Sequence, residues 1–268
     1  MLIQGIVNVT PDSFSDGGQF GSVQQAVDHA LRMIDEGADI LDIGGESTRP
    51  GSEPVSESEE YERVIPVING IRAVNANIPI SIDTMKSTIA RAALDAGATM
   101  INDVTAGRYD AALFSVAAEY GVPLILMHMS GEPKTMQVAP VYDDVVQEVK
   151  VFLRERVRNA REAGVTRVYV DPGIGFGKTL EHNLDLLRNL DTFAEIAPVV
   201  LGISRKRFIG AITGIEDPAE RDVPTALIHA LLWTKKVEIV RVHDVKQISM
   251  LRTLAQLVGN DQSADTSS

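Results

Sequence analysis

Residues 2–9 read LIQGIVNV and run into NVTPDS at residues 8–13, and this junction helps to decide between two α/β folds. LIQGIVNV is a nearly continuous apolar run, as expected of a parallel strand that is buried on both faces. In an open dinucleotide-binding sheet, a glycine fingerprint usually follows the first strand. NVTPDS contains no glycine, which argues against such a sheet.

Seven further apolar runs follow, with amphipathic segments between them. Eight strand–helix units predict a single-domain α/β protein, a (β/α)₈ or TIM barrel, over residues 1–259. The predicted strands are Leu2–Val9, Ala38–Gly44, Ile78–Asp83, Thr99–Val104, Pro123–His128, Arg167–Asp171, Val199–Ile203 and Val237–Val242. Two stripes at helical spacing are Ala26, Val27, Ala30, Leu31 and Ile34, and Ile248, Leu251, Leu254, Ala255 and Val258.

The composition fits one globular domain and excludes several functions. A length of 268 residues is ordinary for one barrel, and 44% hydrophobic residues are typical of globular proteins. Without cysteine, the chain forms no disulfide, no thiolate metal site and no cysteine nucleophile. The net charge of −12 argues against a broad surface for nucleic acid or anionic membranes, so an anionic ligand needs a local cluster of cations.

We expect a cytoplasmic protein with a short disordered tail. No apolar run approaches the ~20 residues that span a bilayer. The start, MLIQGIVNVT, has neither the basic residues nor the cleavage site of a signal peptide. The absence of cysteine fits a reducing compartment. Residues 260–268, NDQSADTSS, are small and polar and predict disorder.

Every predicted strand runs into a group that can carry charge or form hydrogen bonds. In α/β barrels the carboxyl ends of the strands share one face, and the active site lies there. Asparagine and aspartate suit a flat ring with a hydrogen-bonding edge, whereas arginine, lysine and histidine suit phosphate or carboxylate. A polar heterocycle that carries a polyanion needs this mixture. The groups are Asn8, Arg49, Asp83, Asn102, His128, Asp171, Lys206, Arg241 and His243.

Two stretches predict active-site loops. Residues 10–18 and 45–56 follow early strands, are rich in glycine, serine and proline, and exceed a minimal turn. They carry Asp16, Thr48 and Arg49. A third stretch, GIGFGKT at 173–179, is similar to a phosphate-binding P-loop, but Pro172 occupies the place of its first glycine, so we expect no nucleotide there.

With these residues the chain resembles the dihydropteroate synthase family, the target of sulfonamides. The matching segments cover nearly the whole chain in the family's order and spacing. They are GIVNVTPDSFSDGG (5–18), GADILDIGGESTRPG (37–51), SIDT (81–84), INDVTAG (101–107), LMHM (126–129), DPGIGFGKT (171–179), GISRKRFIG (202–210) and VRVHDV (240–245).

The resemblance implies a reaction. A transferase of this family condenses 6-hydroxymethyl-7,8-dihydropterin pyrophosphate with p-aminobenzoate and releases 7,8-dihydropteroate and pyrophosphate. Pyrophosphate leaves first with the help of Mg²⁺, and the amine then attacks a pterin-methyl cation. No protein nucleophile is required, which agrees with the absence of cysteine. Sulfonamides are the expected inhibitors, and a homodimer through the later helices is the expected assembly.

The resemblance also implies a role for each matching residue. Asn8 is similar to the ligand of the Mg²⁺ ion. The expected substrate-binding residues are Thr48, Arg49, Asp83, Asn102, Asp171, Phe176, Lys206, Arg241 and His243. Of these, Arg241 and His243 are expected to bind pyrophosphate, and Phe176 and Lys206, with Pro50, to border the aminobenzoate pocket. Lys206, Asp171 and Asp16 are the expected catalytic residues.

Two departures from the family pattern stand out. Family members often carry an N-terminal hairpin over the bottom of the barrel, whereas this sequence begins in the first strand, so we expect exposed apolar surface there. Pro224-Thr225 replaces a frequent Gly-Ser, and residues 235–238 lack the usual Gly-Ala, both near the expected dimer surface.

The sequence leaves the roles of two residues and the choice among several functions open. His128 is compatible with a packed barrel residue, and Asp42 with either a direct contact or a role inside the barrel. The rival functions are a corrinoid-dependent methyltransferase barrel that binds a pterin, and a non-catalytic paralogue. The first would not need the STRP loop or a pyrophosphate pair, and the second should have lost several strand-end ligands. A sugar-phosphate isomerase has no support in the motifs.

Overall fold

The computed structural model describes residues 1–10, 18–47, 52–131 and 140–258, with only the backbone described for 18–22. The tail predicted at 260–268 lies outside these residues. The strands are β1 (Leu2–Asn8), β2 (Ile40–Gly44), β3 (Ile80–Asp83), β4 (Met100–Asp103), β5 (Leu124–Met127), β6 (Val168–Asp171), β7 (Val200–Gly202) and β8 (Ile239–Val242).

All strand pairs are parallel, and the strands follow the order β6-β5-β4-β3-β2-β1-β8-β7. A parallel bridge between Val170 and Val199 joins the two ends of this sheet. The sheet therefore closes on itself, and the predicted (β/α)₈ barrel is confirmed.

Helices follow the strands as the alternating pattern predicted. Their bounds are α1 (Gly18–Asp35), α2 (Glu57–Val74), α3 (Ser87–Asp95), α4 (Ala112–Tyr120), α5 (Val145–Glu162), α6 (Leu180–Arg188), α7 (Leu190–Phe193), α8 (Arg207–Thr213), α9 (Asp222–Leu231) and α10 (Val245–Val258). None of the described helices is long and apolar enough to cross a membrane.

Three strands begin two residues later than predicted, at Ile40, Ile80 and Ile239. Each predicted strand began with an apolar residue, Ala38, Ile78 or Val237, whose N–H group bonds outside the sheet. The N–H of Ala38 donates to the carbonyl of Met33 at 2.9 Å, and the N–H of Ile78 donates to the side chain of Asn75 at 3.0 Å. An apolar residue before a strand therefore does not by itself belong to the sheet.

The two predicted helical stripes differ in their environment. On α1, Ala26, Val27 and Ala30 are buried, as their spacing indicated. On α10 only the first turns reach the core, and Leu254 and Val258 are 54% and 77% exposed. The helical spacing of the second stripe is confirmed, but its members range from the buried Ile248 to the exposed Leu254 and Val258.

The bottom of the barrel is filled by a compact apolar layer. Its members lie near the starts of β2, β4, β5, β7 and β8, and each is at most 6% exposed: Ile40, Met100, Ile125, Val200 and Ile239. Leu2, which pairs with Ile239, is 37% exposed. The upper ends of the strands, by contrast, carry polar side chains.

Candidate active site

A buried carboxylate lies at the centre of the upper barrel. Asp42 on β2 is fully buried, and its oxygens accept hydrogen bonds from four side chains of other strands. Its donors are Gln4 (3.2 Å), Ser81, Asn102 (3.2 Å) and Arg241 (2.5 Å). Asp42 therefore organises the interior of the barrel and orients Asn102 and Arg241.

Arg241 on β8 joins Asp42 to a second carboxylate. Its Nη2 lies 2.6 Å from Asp83 Oδ2. Burial alone would lower the pKa of Arg241, but Asp42 and Asp83 outweigh it and raise that pKa. Burial raises the pKa of Asp83 to about 7; Asp42 adds to the rise and Arg241 opposes it.

Asp171 and Lys206 form the next part of the site. Asp171 ends β6, is 5% exposed, and accepts the N–H of Gly173 at 2.7 Å. Lys206 follows β7; its Nζ donates to the carbonyl of Ile174 at 2.5 Å and lies 4.6 Å from the centre of the Phe176 ring. Burial raises the pKa of Asp171 and lowers that of Lys206 to about 8, and each charge partly opposes the shift of the other.

His243 and Asn8 complete the described part of the predicted site. The N–H of His243 donates to Ser204 Oγ at 3.1 Å, and its Nδ1 lies 2.9 Å from the same oxygen, so Ser204 orients the ring. Asn8 is the last residue of β1 and pairs with Gly44 at the same end of the barrel. The predicted residues Asp16, Thr48, Arg49 and Pro50 lie outside the described residues.

A buried lysine shapes the turn after β6, and the sequence carries no local signal of its burial. Lys178 is 4% exposed, and its Nζ lies 2.9 Å from the carbonyl oxygens of Gly173 and Phe176 and 3.0 Å from His128 Nδ1. Burial lowers the pKa of Lys178 well below its ordinary value. The ammonium is directed at its own turn, an arrangement unlike the phosphate cradle of a P-loop.

His128 is a packed residue of this turn. It is 7% exposed, and its ring meets Phe152 edge-on at 4.9 Å between centroids. Burial, with the cations of Lys178 and Arg108, lowers the pKa of His128 to about 2, so the imidazole is neutral. Its neutral Nδ1 is a suitable acceptor for Lys178.

A second buried lysine joins the two described stems of the 45–56 loop. Lys86 Nζ lies 2.6 Å from Glu46 Oε2 at the start of the loop and 2.6 Å from the carbonyl of Val55 near its end. It also forms an ion pair of 2.6 Å with Glu60, which is fully buried on α2. Lys86 lies two residues after SIDT (81–84), and only its burial distinguishes it from a surface lysine.

The arrangement has two chemical halves. Carboxylate and amide groups of Asp83, Asn102 and Asp171 can accept from, or donate to, the edge of a flat polar ring. Lys206, Arg241 and His243 lie at the same end of the barrel and suit an anion. The site can therefore hold a heterocycle that carries a polyanion.

Comparison with known proteins defines first the class and then the family. Residues 4–243 match the family model described as pterin binding enzyme. The chain is 49% identical over 261 residues to dihydropteroate synthase of Streptococcus pyogenes serotype M6. The aligned region covers 96% of this chain and 95% of that protein.

Similar solved structures belong to the same family. The dihydropteroate synthase of Xanthomonas albilineans with 4-aminobenzoic acid has a TM-score of 0.90 and 48% identity, covering 97% of this chain and 93% of that one. The Yersinia pestis enzyme in a sulfonamide drug complex has a TM-score of 0.89 and 38% identity, covering 96% and 94%. The chain belongs to the pterin-binding enzymes and, among them, to the dihydropteroate synthase family of transferases.

The turn after β6 can be tested through Gly173. A Cβ at this residue would lie 1.8 Å from the carbonyl oxygen of His128, and φ is +70°. Gly121 has a similar φ of +64° with nothing within 4 Å of a Cβ. Gly121→Ala should cost only the ~1–2 kcal/mol of a left-handed residue, whereas Gly173→Ala should lose at least ~3 kcal/mol in urea unfolding. Equal losses would contradict the close approach.

Proposed function

We propose that the strand-end cluster carries out the synthase reaction by loss of pyrophosphate followed by attack of the arylamine. The observation that carries the proposal is Lys206. Its ammonium lies above the Phe176 ring and interacts with the charge of Asp171. It therefore connects the polar groups that suit a pterin with the aromatic face that suits p-aminobenzoate.

The pterin would be held through its hydrogen-bonding edge. Asp83 and Asp171 are carboxylates in a buried environment, where hydrogen bonds to N–H groups are strong. The Asn102 amide already donates to Asp42, which leaves its oxygen available as an acceptor for the ring. A ring with adjacent N–H and carbonyl groups matches this set.

The pyrophosphate would meet Arg241 and His243. The guanidinium of Arg241 is a fixed cation held by two carboxylates, and His243 is oriented by Ser204. Preorganised donors of this kind stabilise negative charge that develops on a leaving group. The electron pair of the C–O bond leaves with the pyrophosphate, and the positive charge that remains on the methylene carbon spreads into the pterin ring.

The second substrate would bind in a pocket bordered by Phe176 and Lys206, with Thr48, Arg49 and Pro50 from the 45–56 loop. The amine lone pair forms the new C–N bond, and the proton of the resulting ammonium passes to water. Asp16 would steady the cation. Sulfonamides would occupy the same pocket, because they share the arylamine and an acidic group.

Mg²⁺ is part of the proposal, with Asn8 as its protein ligand. Among the described residues, no three His, Asp or Glu side chains could hold a metal ion together. Mg²⁺ prefers oxygen ligands and commonly keeps several waters when it binds substrate phosphates, so a single amide oxygen from the protein is a suitable donor set. When bound there, the ion would neutralise charge on the pyrophosphate.

The assembly proposed is a homodimer in the cytoplasm. Helices α9 and α10 pack together and carry an apolar surface, which we call the α9–α10 face. Its exposed members are Val223, Leu227, Leu231, Met250, Leu254, Leu257 and Val258. Exposed apolar side chains clustered on two adjacent helices favour an interface. Thr225, one of the two departures from the family, is 3% exposed and so lies on the inner side of α9.

The first experiment measures pyrophosphate release from dihydropterin pyrophosphate and Mg²⁺, with and without p-aminobenzoate. Release should depend on the arylamine and stop with EDTA. Asp171→Ala and Lys206→Ala should reduce it to background, because each removes a group at the reacting end. Tight pterin binding without any release would favour the non-catalytic paralogue, and near-normal activity of either variant would refute the assigned geometry.

Pterin binding should strengthen as pH rises through about 7. Because burial raises the pKa of Asp83 to about 7, this side chain is protonated below that pH and cannot accept as a carboxylate. The affinity for 6-hydroxymethyl-7,8-dihydropterin, which lacks the titrating pyrophosphate, should be about tenfold lower at pH 6 than at pH 8, as expected for one titrating group. Calorimetry on Asp83→Asn should show weaker binding without this dependence; an unchanged slope in the variant would assign it elsewhere.

The α9–α10 face should hold the dimer. Leu227→Asp with Leu231→Asp places two charges in the proposed interface, and light scattering should then give the mass of a monomer. Val151→Asp is the matched control, since Val151 is 62% exposed on α5, a helix that packs mainly against β5, β6 and α6. A dimer that survives the double substitution would exclude the face as the interface.

A further inference from the structure

Arg205 has a backbone conformation that its side chain disfavours. Its φ is +60°, and within the described residues only Ala106 is another non-glycine residue with positive φ. The N–H of Lys206 donates to the carbonyl of Ile203 at 3.2 Å, so Arg205 is the third residue of a tight turn. A positive φ at this position favours glycine or asparagine. Something outside the turn must therefore hold Arg205.

The first turn of α9 and the residue before it provide that hold. Asp222 accepts two hydrogen bonds from the Arg205 guanidinium, at 2.7 and 2.6 Å. The N–H of Arg205 donates to Thr225 Oγ1 at 3.2 Å, and its carbonyl accepts from Arg221 Nη1 at 3.1 Å. Arg221 is itself 6% exposed. The side chain and both backbone polar groups of one residue are thus fixed from one segment, which we call the α9 clamp (Arg221, Asp222 and Thr225).

The residues on either side of Arg205 belong to the candidate active site. Lys206 reaches the carbonyl of Ile174 and the Phe176 ring. Ser204 holds the backbone and the ring of His243. A rotation of the Arg205 backbone would move Lys206 and Ser204 together, because they are its direct neighbours in the turn.

We propose that Arg205 is a positioning residue, held in the left-handed conformation by the α9 clamp so that Lys206 and His243 face the substrates. The guanidinium acts through Asp222 and not on the substrate. This inference rests on the proposed roles of Lys206 and His243. Strained residues that are held by their surroundings are common at active sites, and small displacements of catalytic groups cost much activity.

Substitutions at residue 205 separate backbone conformation from side-chain chemistry. Arg205→Gly and Arg205→Asn tolerate a positive φ and should keep kcat/KM within about threefold of the wild type. Arg205→Val disfavours that conformation and should lose at least about tenfold. Loss of activity in the glycine variant equal to that in the valine variant would overturn the proposal, because the guanidinium itself would then be required.

Substitutions in the clamp test the hold directly. Asp222→Ala should lower kcat/KM by at least about tenfold, and Arg205→Gly added to Asp222→Ala should restore most of it. Unchanged activity in Asp222→Ala, or no rescue in the folded double variant, would refute the clamp. Glu119→Ala is the control, since it breaks a similar two-bond pair with Arg91, at 2.8 and 2.6 Å, on other helices.

The position of Lys206 can also be tested without measuring turnover, by NMR titration of its side chain. In protein labelled with ¹³C at lysine Cε, the Lys206 signal can be assigned from its loss in Lys206→Ala and titrated. Burial lowers its pKa to about 8 in the wild type. Asp222→Ala should move that pKa towards the ordinary value for lysine, and the added Arg205→Gly should reverse the shift. An unmoved pKa would overturn the positioning role, whereas a shifted pKa with an active Lys206→Ala variant would overturn only the assigned role of Lys206.

Discussion

The upper half of the barrel depends on the hydrogen bonds that stabilise one carboxylate, which is fully buried from water. Asp42 is fully buried and accepts hydrogen bonds from Gln4, Ser81, Asn102 and Arg241, which lie on four other strands. An uncompensated carboxylate in this position would cost several kcal/mol or become protonated. Each donor is therefore confined to one orientation. Because Asn102 and Arg241 are also proposed ligands, the bonds that stabilise the buried charge fix these ligands before any substrate binds.

At the end of β7, one structural element likewise serves two purposes. Helix α9 presents Leu227 and Leu231 outward and Asp222 and Thr225 inward, where they contact Arg205. On the proposals above, one helix takes part in subunit assembly with one face and in the geometry of the site with the other. Any shift of α9 would reach the turn that carries Lys206 through three short contacts. Rigid elements thus support the site, and the turn itself needs no intrinsic preference for its shape.

The sequence predicted what depends on neighbouring residues along the chain and missed what depends on distant ones. The carboxyl end of each predicted strand lies within one residue of the observed end, because the change from an apolar run to a polar residue is a local signal. The burial of Lys86 and Lys178 was not predictable, since their partners are mainly carboxylates and backbone oxygens brought together by the fold. The left-handed conformation of Arg205 was equally hidden, because its cause lies in α9. In α10 the predicted periodicity was correct, but it gave no information about where burial ends: Ile248 is in the core, whereas Leu254 and Val258 are exposed.

The ion pairs in the site also bear on the choice of ligand. Arg241 is engaged by Asp42 and Asp83. A pterin that hydrogen-bonds to Asp83 takes a partner from Arg241, and a pyrophosphate that binds Arg241 takes a partner from Asp83. A ligand with only one of these groups leaves a buried charge less well compensated, which costs free energy. A ligand that carries both replaces the two halves of the ion pair together. On the proposed roles, the pair therefore favours the pterin pyrophosphate over either the free pterin or pyrophosphate alone, in a protein whose net charge of −12 would otherwise repel the anion.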